Sequence, residues 1–359
     1  QAKTPEYVFW PMKKYPLLSY NGRINGIGAA GGGRYYFTTS ASMVYAVAYA
    51  PLEALWRSEP RAKDPNFSMT APASVIAWQF PTKAPISFAP AVAGALVIAV
   101  DDAGEVYALN EKGQPAWTAA TGEPADGAPV ALGERVLIHR QAGHFSVFDG
   151  QSGKSEGTLP AGGELVGSWC AAEGRLFVVT RGGAIAVLGP DGKEVERIKS
   201  EVPYRGPLAV ADDTLLIGKE GGVIESFNRK TKKPRWSRRL GIPFRAVAFM
   251  GDKRVCALGT NDVIFCLVRR SGDLKWWRGG EILETPMPVF WQGRILGSFG
   301  TSEMFGLVDR SGESRFRFDV GMKIAGDFHC WDGNLVVHMY DAKADRGFLQ
   351  LMGPEAKAK

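Results

Sequence analysis

One phrase recurs along this chain. GEVYALNEKGQPAW (104–117), GGVIESFNRKTKKPRW (221–236) and NDVIFCLVRRSGDLKW (261–276) each read as a strand, a tight turn and a returning strand that ends in Trp. The first core-facing apolar residue of successive copies falls at Val44, Val106, Phe145, Ile185, Ile224, Ile264, Phe305 and Phe348, in steps of 62, 39, 40, 39, 40, 41 and 43 residues. The long first step contains PLEALWRSEPRAKDPNFSMTAPA (51–73), and without those 23 residues it is 39. A period near 40 suits a four-stranded blade, so the spacing predicts an all-β, eight-bladed β-propeller of antiparallel blades, one domain over 1–359.

Each unit has the same internal grammar. FAPAVAG is a short strand, ALVIAV a strongly apolar one, DDAG a turn, EVYALN an alternating strand, EKG a turn and QPAWTA the last strand. The second strand is apolar throughout because neighbouring blades cover both its faces. The Trp stands four residues after the turn position: Gly113 to Trp117, Lys232 to Trp236, Gly272 to Trp276, with Phe316 after Gly312. There it can bridge to the next blade and bury ~150–250 Å². The glycine supplies the positive φ of the turn. The repeated phrase is therefore glue, needed because each sheet exposes apolar faces until the next sheet covers them.

The ends suggest how the ring closes. GFLQLMG (347–353) is followed only by PEAKAK, so the eighth unit lacks an outer strand, and 354–359 reads as a disordered tail. EYVFWP (6–11) has no partner of its own, and Tyr7 to Trp10 are expected to supply the missing strand. No apolar run approaches the ~20 residues that span a bilayer. The chain starts at Gln1 with no leader, which reads as a secreted chain after signal-peptide removal or as a trimmed one.

APAVAGALVIAVDDAGEVYALNEKGQPAW (89–117) strongly resembles the repeat of the PQQ-like β-propeller family, and GPLAVADDTLLIGKEGGVIESFNRKTKKPRW (206–236) follows it more loosely. The resemblance implies the propeller fold over essentially the whole chain. One branch of that family holds pyrroloquinoline quinone and calcium in the central channel. The other is the non-enzymatic, BamB-type branch of outer-membrane assembly scaffolds. Size, blade number and the lack of long inserts place the chain with the second branch. The adjacent Cys-Cys pair of many quinoprotein alcohol dehydrogenases is absent, and so is an acidic cluster for calcium. The expectation is a periplasmic or envelope-associated scaffold without catalytic residues, metal or cofactor. A small PQQ-dependent oxidoreductase is the alternative. A lipid-anchoring Cys does not stand at the first position, where Gln1 is found.

Chemistry-bearing motifs are few. His139, His144, His329 and His338 lack metal-ligand spacing, and His139 and His338 fall in strands, where a hydrogen-bonded structural role is expected. INGIGAAGGG (24–33) leads into a strand, leaving no helix N-terminus to hold phosphate. Cys256 and Cys266 flank the turn GTND and are expected to face each other across a hairpin, as a disulfide or as two buried thiols. Cys170 and Cys330, four units apart, lie too far apart to bond.

Two surfaces break the repeat. In 51–73, Pro51 suits a first helical position, Leu52, Leu55 and Trp56 fall on one helical face, and Phe67 and Met69 follow. This segment either folds back on the propeller or forms a partner-docking arm. The turns of units five to seven carry Arg229, Lys230, Lys232, Lys233, Arg235, Arg269, Arg270 and Arg310. They form either a solvated basic face or a rim patch for an acidic envelope protein, anionic lipid or lipopolysaccharide. Nucleic acid is not expected, because blade packing accounts for the interleaved aromatics.

Overall fold

The computed structural model describes all residues except 1–11, 64–68, 141–143, 161–164, 280–287, 300–301, 309–310 and 355–359. Eight separate antiparallel sheets follow one another along the chain, each ordered as in the sequence grammar. Blade two is representative, with strands Ala91–Ala93, Leu96–Val100, Glu105–Leu109 and Pro115–Ala120. First strands of neighbouring blades approach one another, so they are innermost, and the fourth strands form the outer wall. No described helix is long and apolar enough to cross a membrane.

Alternation along the middle strands explains their apolar character. In blade six, Val255 and Ala257 pack with residues of blade five, while Cys256 and Leu258 pack with residues of blade seven. Each blade thus feeds two interblade cores. Pairing shows that the residues equivalent to Ile264 in blades seven and eight are Met304 and Leu349, one residue from Phe305 and Phe348. In blade seven this turn is as long as in blade six, with Ser298 opposite Met304 as Leu258 is opposite Ile264, and it lengthens only in blade eight, with His338 opposite Leu349.

The Trp glue takes the expected form. Trp236 of blade five lies against Gly272 of blade six, where a Cβ would sit 2.5 Å from the ring, and its Nε1 donates to the Arg269 carbonyl at 2.8 Å. Trp78 and Trp117 repeat this with Gly113 and Gly153, donating to Glu111 and Gly150. The glycine is therefore required twice, for a φ of +73° at Gly272 and for the flat contact. Blade four carries Glu196 at the Trp position, and the next blade carries Lys232 at the Gly position with φ 55°. These two form an ion pair at 3.5 Å. One joint has exchanged an aromatic contact for a charged one.

The N-terminal segment closes the ring. Met12–Lys14 and Leu18–Asn21 both pair with Arg346–Pro354, so the outer strand of blade eight comes in two pieces. Tyr7 to Trp10 lie outside the described residues. Pro354 pairs with Met12 and belongs to the last strand rather than to a tail.

The seam between blades eight and one is polar at its centre. His338 of blade eight is wholly buried, with Nδ1 2.8 Å from Tyr20 Oη of the closing strand and Nε2 3.2 Å from Tyr35 Oη of blade one. The Gly28 N–H also donates to Tyr35 Oη. The neutral ring donates to one tyrosine hydroxyl and accepts from the other. Burial, with a smaller contribution from His329, pushes the His338 pKa down to about 3. Phe37 and Tyr45 pack around the group.

Candidate partner-binding site

In a propeller the first-to-second and third-to-fourth turns emerge on one face. The 51–73 segment and the basic turns are all third-to-fourth connections, so they share that face. The segment begins with a helix at Tyr49–Ser58, two residues earlier than Pro51 suggested. Proline remains in the first turn, where backbone N–H groups have no helical partner. Leu52 is wholly buried, and Leu55 and Trp56 pack against the same cluster as Tyr15 and Leu18 of the closing segment. The Leu17 N–H donates to the Met69 carbonyl and the Ala71 N–H to the Leu17 carbonyl, at 2.6 and 2.8 Å. The segment folds back and clasps the closing strand instead of projecting as an arm. The Phe67 side of the expectation lies outside the described residues.

The basic turns are tied to the chain's own carboxylates. Arg229 reaches Glu173 at 2.8 Å and stacks over Phe177, and Arg269 reaches Asp212 at 2.8 Å and stacks over Phe249. Each arginine contacts the first turn of the preceding blade, so the pairs stitch blade four to five and five to six. Arg235 bonds Asp213 at 2.7 Å. Between these groups lies an open cavity of about 340 Å³ lined by both signs of charge, Asp212 and Glu196 among them. Lys230, Lys233 and Arg270 remain exposed, and Arg310 lies outside the described residues. The structure thus shows a band of mixed charge where the sequence suggested a basic one.

Cys256 and Cys266 stand directly opposite each other, fully buried, with no disulfide between them. Their mutual hydrogen bond, then burial, raises the Cys256 pKa well above the ordinary thiol range. Cys170 and Cys330 form no disulfide either. Innermost strands such as Ala91–Ala93 and Val130–Leu132 are small and apolar. No three His, Cys, Asp or Glu side chains converge among the described residues.

The sequence reading missed Trp277, which is 60% exposed on the outer strand of blade six. Its signal was the doublet in LKWWR: strand alternation lets only one of two adjacent Trp side chains face the next blade. Trp276 takes that place against Gly312, and Trp277 turns to the opposite face.

Comparison with known proteins agrees with this architecture. The crystal structure of BamB from Moraxella catarrhalis superposes with a TM-score of 0.72 at 14% identity, covering 95% of this chain and 98% of that one. Saccharomyces cerevisiae Sqt1 gives a TM-score of 0.66 at 10% identity, covering 95% and 100%, so the fold alone is shared. The outer membrane protein assembly factor BamB of Burkholderia pseudomallei (strain K96243) is 24% identical over 172 residues, which is 45% of this chain and 45% of that protein. The match therefore spans less than half the length of that curated relative. The PQQ-like family described as outer membrane protein assembly factor BamB matches residues 68–156 and 181–317, more than half of the sequence. With eight four-stranded blades and this match together, the chain belongs to the BamB family of β-propellers.

Proposed function

We propose that this chain is a non-catalytic scaffold in outer-membrane protein assembly, working on the periplasmic side within a multi-subunit complex. The observation that carries the reading is family membership over more than half the chain. The structure supports it physically. A ring closed by its own N-terminal segment presents edges and turns that are already ordered, so a partner binds with little loss of chain entropy.

The test is affinity purification of the tagged chain from its native envelope, coupled to its deletion. Barrel-assembly proteins should co-purify, and deletion should lower the amount of folded β-barrel protein in the outer membrane. Purification without such proteins, and unchanged barrel levels after deletion, would overturn the reading. A near-ultraviolet absorption band beyond that of the aromatic residues would turn it toward a quinone enzyme.

A further inference from the structure

The outer strand of each blade is a sheet edge, and natural chains keep such edges polar. The register allows one edge position to be compared around the ring. It holds Gln79, Thr118, Thr158, Arg197 and Ser237 in blades one to five, and Arg317 in blade seven. In blade six it holds Trp277, opposite Phe265. In blade eight, extending the Leu18–Leu349 pairing by one residue brings Leu17 to this place. Only blades six and eight put a large apolar side chain there.

Blade eight shows how the molecule treats such an edge. The 51–73 segment lays an extended stretch along it, with Leu17 and Thr70 in a parallel bridge. Met69 and Trp56 share a small cavity of about 110 Å³ with Leu17. Among the described residues no segment does this for blade six. Leu274, 42% exposed, and Trp277 stand on one face, both opposite residues of the core shared with blade five. The strand Leu274–Arg278 ends its sheet. Its charges are Lys275 and Arg278, and the outer strand of blade five adds Lys233 and Arg239, while its Arg235 is paired with Asp213. The nearby carboxylate Asp273 is taken by Arg238 at 3.0 Å.

We propose that Leu274–Arg278 is a docking edge for one extended segment of a partner protein, paired through its backbone, with an apolar side chain on Trp277 and carboxylates toward Lys275 and Arg278. A polypeptide fits because only a strand satisfies the edge's N–H and C=O groups. A membrane surface leaves those groups unpaired, and a second copy of this edge brings the same cations against them. The inference rests on the reading of the chain as a protein-binding scaffold.

The probe is a synthetic peptide of about ten residues, a typical upper strand length, alternating Glu with Val or Thr and titrated into the purified chain by calorimetry. Trp277→Ser, which installs the residue type of blade five, should weaken binding at least about tenfold, as expected of an aromatic anchor. Methylating alternate peptide amides, or exchanging Glu for Lys, should do the same. Trp277 is exposed, so the variant should melt with the wild type. Absence of acidic-peptide binding, or equal binding by Trp277→Ser, would overturn the proposal. Equal binding of the N-methylated peptide would overturn the strand pairing. Binding to phosphatidylglycerol vesicles in place of the peptide would also overturn it, assigning the surface to lipid. Trp277-dependent peptide binding that persists while barrel-assembly proteins fail to co-purify would sink the assembly role alone.

Discussion

Between blades five and six, the Trp236 ring covers Gly272 and donates to the Arg269 carbonyl, 33 residues further along the chain. Between blades eight and one, His338 joins Tyr20 and Tyr35, which lie 318 and 303 residues away. Both junctions bury a sheet face, but the first is local and written into the repeat. The second draws on residues outside the repeat and needs the two ends of the chain together. Bringing distant ends together costs chain entropy before any contact repays it. Repetition therefore builds the body of the ring, while closure depends on a singular set of side chains.

The largest test of this contrast is Trp236→Ala. Loss of a buried Trp should cost about 3–5 kcal/mol. Hydrogen exchange should show lost protection concentrated in blades five and six. Equal loss at the seam would show that joints and seam open as one unit.

His338→Gln sharpens the other side. It should cost about 1–3 kcal/mol at neutral pH, because the Tyr20 and Tyr35 hydroxyls lose a rigid partner, and exchange should rise in 12–21 first. The wild type should also weaken with acid. The ring titrates at about 3 when folded, against about 6.5 in an unfolded chain. Above about pH 6.5 the ring is neutral in both states, so the stability is complete. As pH falls toward 3, only the unfolded state takes the proton, and stability declines. Urea unfolding at neutral and mildly acidic pH should show a shallower decline in His338→Gln, and an unchanged slope would remove His338 as the cause.

The smallest effect belongs to the exchanged joint. Glu196→Ala or Lys232→Ala should change stability by about 0–1 kcal/mol, because Lys232 is largely exposed. A double-mutant cycle in thermal melts should give favourable coupling between them, and zero coupling would leave blade four's joint to its apolar neighbours.

Much of this was readable from the chain. The period, the polarity of each strand and the Trp–Gly spacing are local properties, imposed by alternation and turn geometry, and they led to eight blades and to the glue. Even Glu196 and Lys232 stand in the Trp and Gly places by sequence count. The candidate site was less legible. Arg229 and Arg269 looked free because their partners Glu173 and Asp212 lie 56 and 57 residues away, next to them only once blades stack. For Leu52 and Trp56 both a fold-back and a docking arm stayed open, because a helical face does not reveal what it packs on.

By itself, then, the sequence determined the repeating module, its number and the way one module grips the next, since those depend on residues within about forty positions. Tertiary structure alone decided that residues 12–21 close the ring, that the insertion guards blade eight, and that Trp277 stands uncovered on blade six. Each of these compares surfaces that meet only after the ring has formed, and no local pattern carries that information.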